Sequence, residues 1–129
     1  MHSFTDTAGR DWKLEINVAA MRRAKTQGID LSMPVSQMQE FVMDDVFLTD
    51  ALYAVVHTQA ETQGISLQQF ESSLNGEILA QARDCLWEAL AEYFDPGKAE
   101  MLRAAIAATK AEMRKASVTL TGFGESKGS

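Results

Sequence analysis

The sequence predicts a mainly α fold, a compact bundle of about five to six helices with a small N-terminal β-hairpin. Three observations predict it. Apolar residues recur at helical spacing almost continuously from Ser36 to Ala116. Apolar–polar alternation, the pattern of a half-buried strand, marks the run from Trp12 to Ile16 near the N-terminus. Stop signals then divide the helical part: Gly28, Pro34, Gly64 and the Asp95-Pro96-Gly97 break. At 129 residues the chain is long enough for one domain with a real core. That domain is placed at residues 1–121, with 122–129 as a flexible tail.

The hairpin is placed at residues 3–16. Trp12, Leu14 and Ile16 face one way, Lys13 and Glu15 the other, and Phe4 lies across the turn-rich Asp6-Thr7-Ala8-Gly9 group. An isolated hairpin is marginal in water, so its apolar face must lie on the helices that follow. Asn17 is a good N-cap for VAAMRRAKTQ, with Val18, Met21 and Ala24 as the inner face. Gln37 to Met43 forms a short helix with Met38, Phe41 and Val42 inward. VFLTDALYAVVH, from Val46 to His57, is apolar nearly all round, as a central helix is. Ser66 starts another short helix carrying Leu67, Phe70 and Leu74. Glu77 to Phe94 is amphipathic, with Ile78, Ala82, Cys85, Leu86, Ala89, Leu90 and Tyr93 at the helical period. Lys98 to Ala116 is the last helix, striped by Leu102, Ala105, Ile106, Thr109 and Met113. Ser117 to Thr121 reads SVTLT, a short strand candidate able to join the hairpin. The core is expected to hold Trp12, Leu14, Ile16, Val46, Leu52, Val55, Phe70, Leu86, Leu90 and Leu102.

TQGIDL at Thr26–Leu31 is nearly repeated as TQGISL at Thr62–Leu67. Each copy ends a helical pattern. Glycine takes the left-handed conformation that closes a helix, and the following isoleucine can bury itself against the last turn. Two copies with different flanks make this punctuation rather than a solenoid, which needs about three units.

Charge is unevenly placed within a net of −6. Residues 37–96 carry eleven acids and one base, Arg83, whereas residues 97–129 carry six bases and three acids. A basic footprint for nucleic acid is absent from most of the chain. No apolar run reaches the roughly 18 residues of a membrane span. MHSFTDTAGRDW has no basic region leading into an apolar stretch, so no secretory signal is read there. The single cysteine, Cys85, excludes an internal disulfide and is expected to be a buried structural thiol. These points favour the cytosol.

No enzyme constellation emerges. His57 has no nucleophile or carboxylate at a recognisable spacing. Glu40 and Asp44 form an acidic i, i+4 pair without a third ligand, so no metal or cofactor is expected. Gly122-Phe123-Gly124 lacks the rest of a nucleotide fingerprint. A binding protein is favoured over a small enzyme.

The spacing of Gly9-x-x-Trp12, Gly28-Ile29-Asp30-Leu31, Gly64-Ile65-Ser66-Leu67-x-x-Phe70 and Phe94-Asp95-Pro96 resembles that of bacteriophage and prophage tail assembly chaperones, over Gly9 to Ala107. The resemblance implies a non-enzymatic cytoplasmic protein of the bacterial host. Such a protein shields the long tape-measure protein, helps recruit tail-tube subunits and is absent from the finished virion. The alternative is a helical adaptor or a structural virion or connector protein. From periodicity alone, Met101, Ile106 and Met113 are the candidate protein-binding residues, with Lys110 and Arg114 on the rim. Methionine suits variable helical partners. The same Ala/Met stripe leaves self-association open.

Overall fold

The computed structural model describes residues 2–128, with side chains described as far as Glu112. Strands β1 (His2–Thr5) and β2 (Asp11–Leu14) pair antiparallel, with Phe4 opposite Trp12. Seven helices follow: α1 (Val18–Thr26), α2 (Val35–Val42), α3 (Asp45–Val55), α4 (His57–Gln63), α5 (Leu67–Ser72), α6 (Gly76–Tyr93) and α7 (Pro96–Gly128). The fold is mainly α with a small antiparallel hairpin, as the sequence predicts.

The hairpin turns on Gly9, at φ +80°. Its apolar face meets Phe70 of α5: Trp12 stands edge-on to that ring at 5.2 Å and Phe4 at 6.5 Å. The outer edge of β2 is closed by α4. The Gln59 amide accepts from Lys13 N at 3.0 Å and donates to Lys13 O at 2.8 Å, as a neighbouring strand would. β1 packs on α6.

Helix α3 is central, packed against α1, α2, α4, α5 and α6. Leu48, Leu52 and Val55 are its buried spine. Asn17, Asp44, Ser66 and Asn75 cap α1, α3, α5 and α6 with side-chain oxygens, and Ser66 and Gln69 form a reciprocal capping box. Both TQGI copies adopt one geometry. Gly28 (φ +83°) and Gly64 (φ +68°) are left-handed. Gly28 N bonds Lys25 O and Ile29 N bonds Ala24 O; Gly64 N bonds Glu61 O and Ile65 N bonds Ala60 O. This is the paired bonding of a Schellman motif. Ile29 is buried and Ile65 half-buried beneath it.

Several expectations are corrected. Val46 is 72% exposed rather than core. Two residues before Leu48, it sits about 200° round the helix from the buried spine. Ile16 is half-buried. In α1 the buried residues are Ala20 and Ala24, while Val18 is 63% exposed. In α2 Val35 joins Met38 and Val42 inside, and Phe41 is 44% exposed. Leu67 and Tyr93 are exposed, and Trp87 is buried instead on α6. The apolar segment from Val46 does not run on as one helix: it breaks at Val56, and His57 starts α4. That break supplies the seventh helix. Residues Ser117 to Thr121 are helical within α7, which continues to Gly128, so the C-terminal strand expected there does not form. No proline follows Pro96 to interrupt the register, and strand propensity at Val118 and Thr119 is a weak local preference.

Candidate functional site

Helix α7 is fixed at its start by local chemistry. The Asp95 carboxylate accepts from Lys98 N at 3.1 Å, and Pro96 occupies the first helical position, where its missing N–H costs nothing. Lys98 Nζ donates to Ser32 O at 2.9 Å and lies 4.2 Å from the centre of the Phe94 ring. Farther along, Gln39 Nε2 of α2 donates to Thr109 Oγ1 at 2.7 Å. Lys110 Nζ faces Asp84 of α6 at 3.6 Å. Ala99, Leu102 and Ile106 are buried against the bundle, so α7 has one defined inner face.

Its other side carries an apolar strip. Met101 is 63% exposed, and Ala104, Ala108 and Ala111 are also exposed. Their steps of three, four and three residues place them within about 80° of one another on the helix. Glu100 and Glu112 stand exposed at its two edges, and the exposed Arg103 and Lys110 lie farther round the helix.

The residues expected to act together are therefore divided. Met101 belongs to the open strip. Ile106 is 7% exposed and belongs to the core, because five residues turn a helix by about 140°. It lines a hollow of about 380 Å³ between α6 and α7 with Trp87 and Lys110. Lys110 is exposed and directed at Asp84 of α6. The side chains of Met113 and Arg114 lie outside the described ones. The sequence reading missed Ala104, Ala108 and Ala111. Their spacing from Met101 was the available signal, obscured because alanine is equally at home inside.

The other singled-out groups have local roles. Cys85 is half-buried, its thiol pushed up by burial and by the nearby Asp84 carboxylate, and its Sγ donates to Ser3 O at 3.2 Å. His57 stands edge-on to Tyr53 at 5.8 Å, with Glu61 at 3.8 Å. Asp44 caps α3, and Asp45 pairs with Arg83 at 3.1 Å. Among the described residues no three His, Cys, Asp or Glu side chains are grouped to hold a metal ion, and no helix is long and apolar enough to cross a membrane. No protein family, curated protein or solved structure matches the chain.

Proposed function

We propose that this chain is a non-enzymatic tail assembly chaperone that shields the tape-measure protein during assembly. The observation that carries the reading is the exposed strip Met101–Ala104–Ala108–Ala111 on a helix already packed on its opposite side. Small residues let a second helix approach closely, and a methionine at one end adapts to differing segments. A long, helix-rich apolar client presents many similar faces, and a helix-on-helix contact of modest specificity suits it. Glu100 and Glu112, exposed at the two edges of the strip, favour a client face edged with bases.

The test is co-expression with the longest open reading frame directly downstream, followed by affinity capture. The client becomes soluble only with this chain and co-purifies with it. Ala108→Glu and Met101→Glu, both at exposed positions, abolish capture while leaving the far-UV spectrum intact. A neighbour that is soluble alone and does not co-purify leaves the helical adaptor as the better reading.

A further inference from the structure

Two other surfaces combine apolar side chains with charge of opposite sign. The first is a groove of about 680 Å³ between α1 and the corner joining α6 to α7. Val18, Met21, Tyr93 and Phe94 supply its apolar floor, and Arg22, Lys25 and Lys98 line it as cations. Asp30, which accepts from Ser32 N and Oγ at 3.0 and 2.6 Å, and Asp95, which accepts from Lys98 N, are its two acids, so the lining sets three cations against two anions. Arg22 and Lys25 form no ion pair among the described residues. The groove therefore presents excess positive charge around exposed apolar atoms.

The second surface is the corner between α2 and α3. Phe41 stacks on Phe47 with ring centres 5.2 Å apart, and Met43 and Val46 are exposed beside them. Val46 is the most exposed large apolar residue described. Glu40, Asp44 and Asp45 are exposed around it, and Arg83, held to Asp45 and to Val42 O, is the one base there among the described residues. This corner is an apolar projection with an acidic edge.

We propose that the α2–α3 corner of one copy docks in the α1–α6–α7 groove of a second copy. Apolar meets apolar, and Glu40 and Asp44 face Arg22 and Lys25. Each chain carries both halves of the complementary pair, which is why a second copy is the occupant. The two halves are different patches, so the contact is heterologous. It repeats from copy to copy, closing only where the rotation brings the ends together. The corner adjoins the α7 strip, since Glu40 and Met43 line one hollow with Ala108, so the test substitutes only residues outside the strip.

Sedimentation of the full chain over a concentration series tests it. The mass rises with concentration for the unchanged chain, and added salt lowers it by screening the charged rims. Val46→Lys and Val18→Glu, both at strongly exposed positions, each weaken association at least about tenfold. Mixed together they associate again, because the first keeps an intact groove and the second an intact corner. Glu40→Lys and Lys25→Glu form a second pair should either valine variant lose its helical spectrum. A chain that stays monomeric up to about 1 mM overturns the proposal. So does association that both single variants leave unchanged.

Discussion

Asp6 is the residue on which the hairpin is organised. Its side chain is fully buried and accepts from Ala8 N, Arg10 N, Arg10 Nε and Trp12 Nε1, all at 2.9–3.0 Å. Arg10 continues the network to Ser73 Oγ at 2.6 Å, and Thr7 N bonds Ser73 O. Burial by itself raises the Asp6 carboxyl. The bonds from Trp12 and Arg10, with the Arg10 charge, outweigh it and hold the group below its ordinary 3.8. The folded state thus binds this proton less readily than the unfolded chain. Its contribution to stability is complete above about pH 4 and is lost as pH falls through the lowered value. Asp6→Ala strands the buried Trp12 N–H and costs about 2–3 kcal/mol in urea unfolding at neutral pH. The variant also loses less stability than the parent between pH 5 and the acid limit, since the group that titrates is gone. Asp6 itself read as a turn residue in the sequence. Its role was illegible because Trp12 and Ser73 reach it only through the fold.

At the scale of elements, end signals were legible and facing directions less so. Caps at Asn17 and Ser66, both glycine stops and the Phe94-Asp95-Pro96 break act through backbone chemistry that a few adjacent letters specify. The outward turn of Val46 and Val18, and the inward place of Ala20, depend on which neighbours α1 and α3 meet. The break at Val56 has no glycine or proline to announce it. Two glycines give a test by contrast. Gly64 is left-handed, so Gly64→Ala destabilises by about 1 kcal/mol. Gly76 opens α6 in an ordinary conformation with open space around a would-be Cβ, so Gly76→Ala stabilises by about 0.4–1 kcal/mol. Thermal melts of the two variants move in opposite directions. On α7, Ile106→Ala removes core volume and costs about 2–5 kcal/mol. Ala108→Glu, at an exposed site, changes stability by no more than about 0.5 kcal/mol. Urea unfolding of both variants separates a fold residue from a surface residue on one helix.

Across the whole molecule, a single cluster of buried side chains runs from Phe4 in the hairpin to Ile106 in α7. Trp12 and Trp87, both buried, sit in different parts of it. One core implies one cooperative transition. Fluorescence of Trp12→Phe, which reports Trp87 alone, and of Trp87→Phe, which reports Trp12 alone, should each coincide with its own far-UV signal during unfolding. A hairpin that melts early in the second variant would show that the core is divided. The bundle was legible at this scale from periodicity and composition. The candidate binding strip was legible only in part, because Met101 and Ile106 are both apolar and only packing tells them apart.

The hydrogen bonds that tie β2 to Gln59, and the turn to Ser73, join residues far apart along the chain. A ribosome makes Trp12 58 residues before Phe70, a delay of about 3–12 s at ~5–20 residues per second. Throughout that interval the hairpin has neither its aromatic floor nor the amide that closes its edge. The hairpin, synthesised before the helices that cover it, is therefore among the last elements to acquire its native neighbours, and a stalled nascent chain ending before α5 would present Trp12 to water.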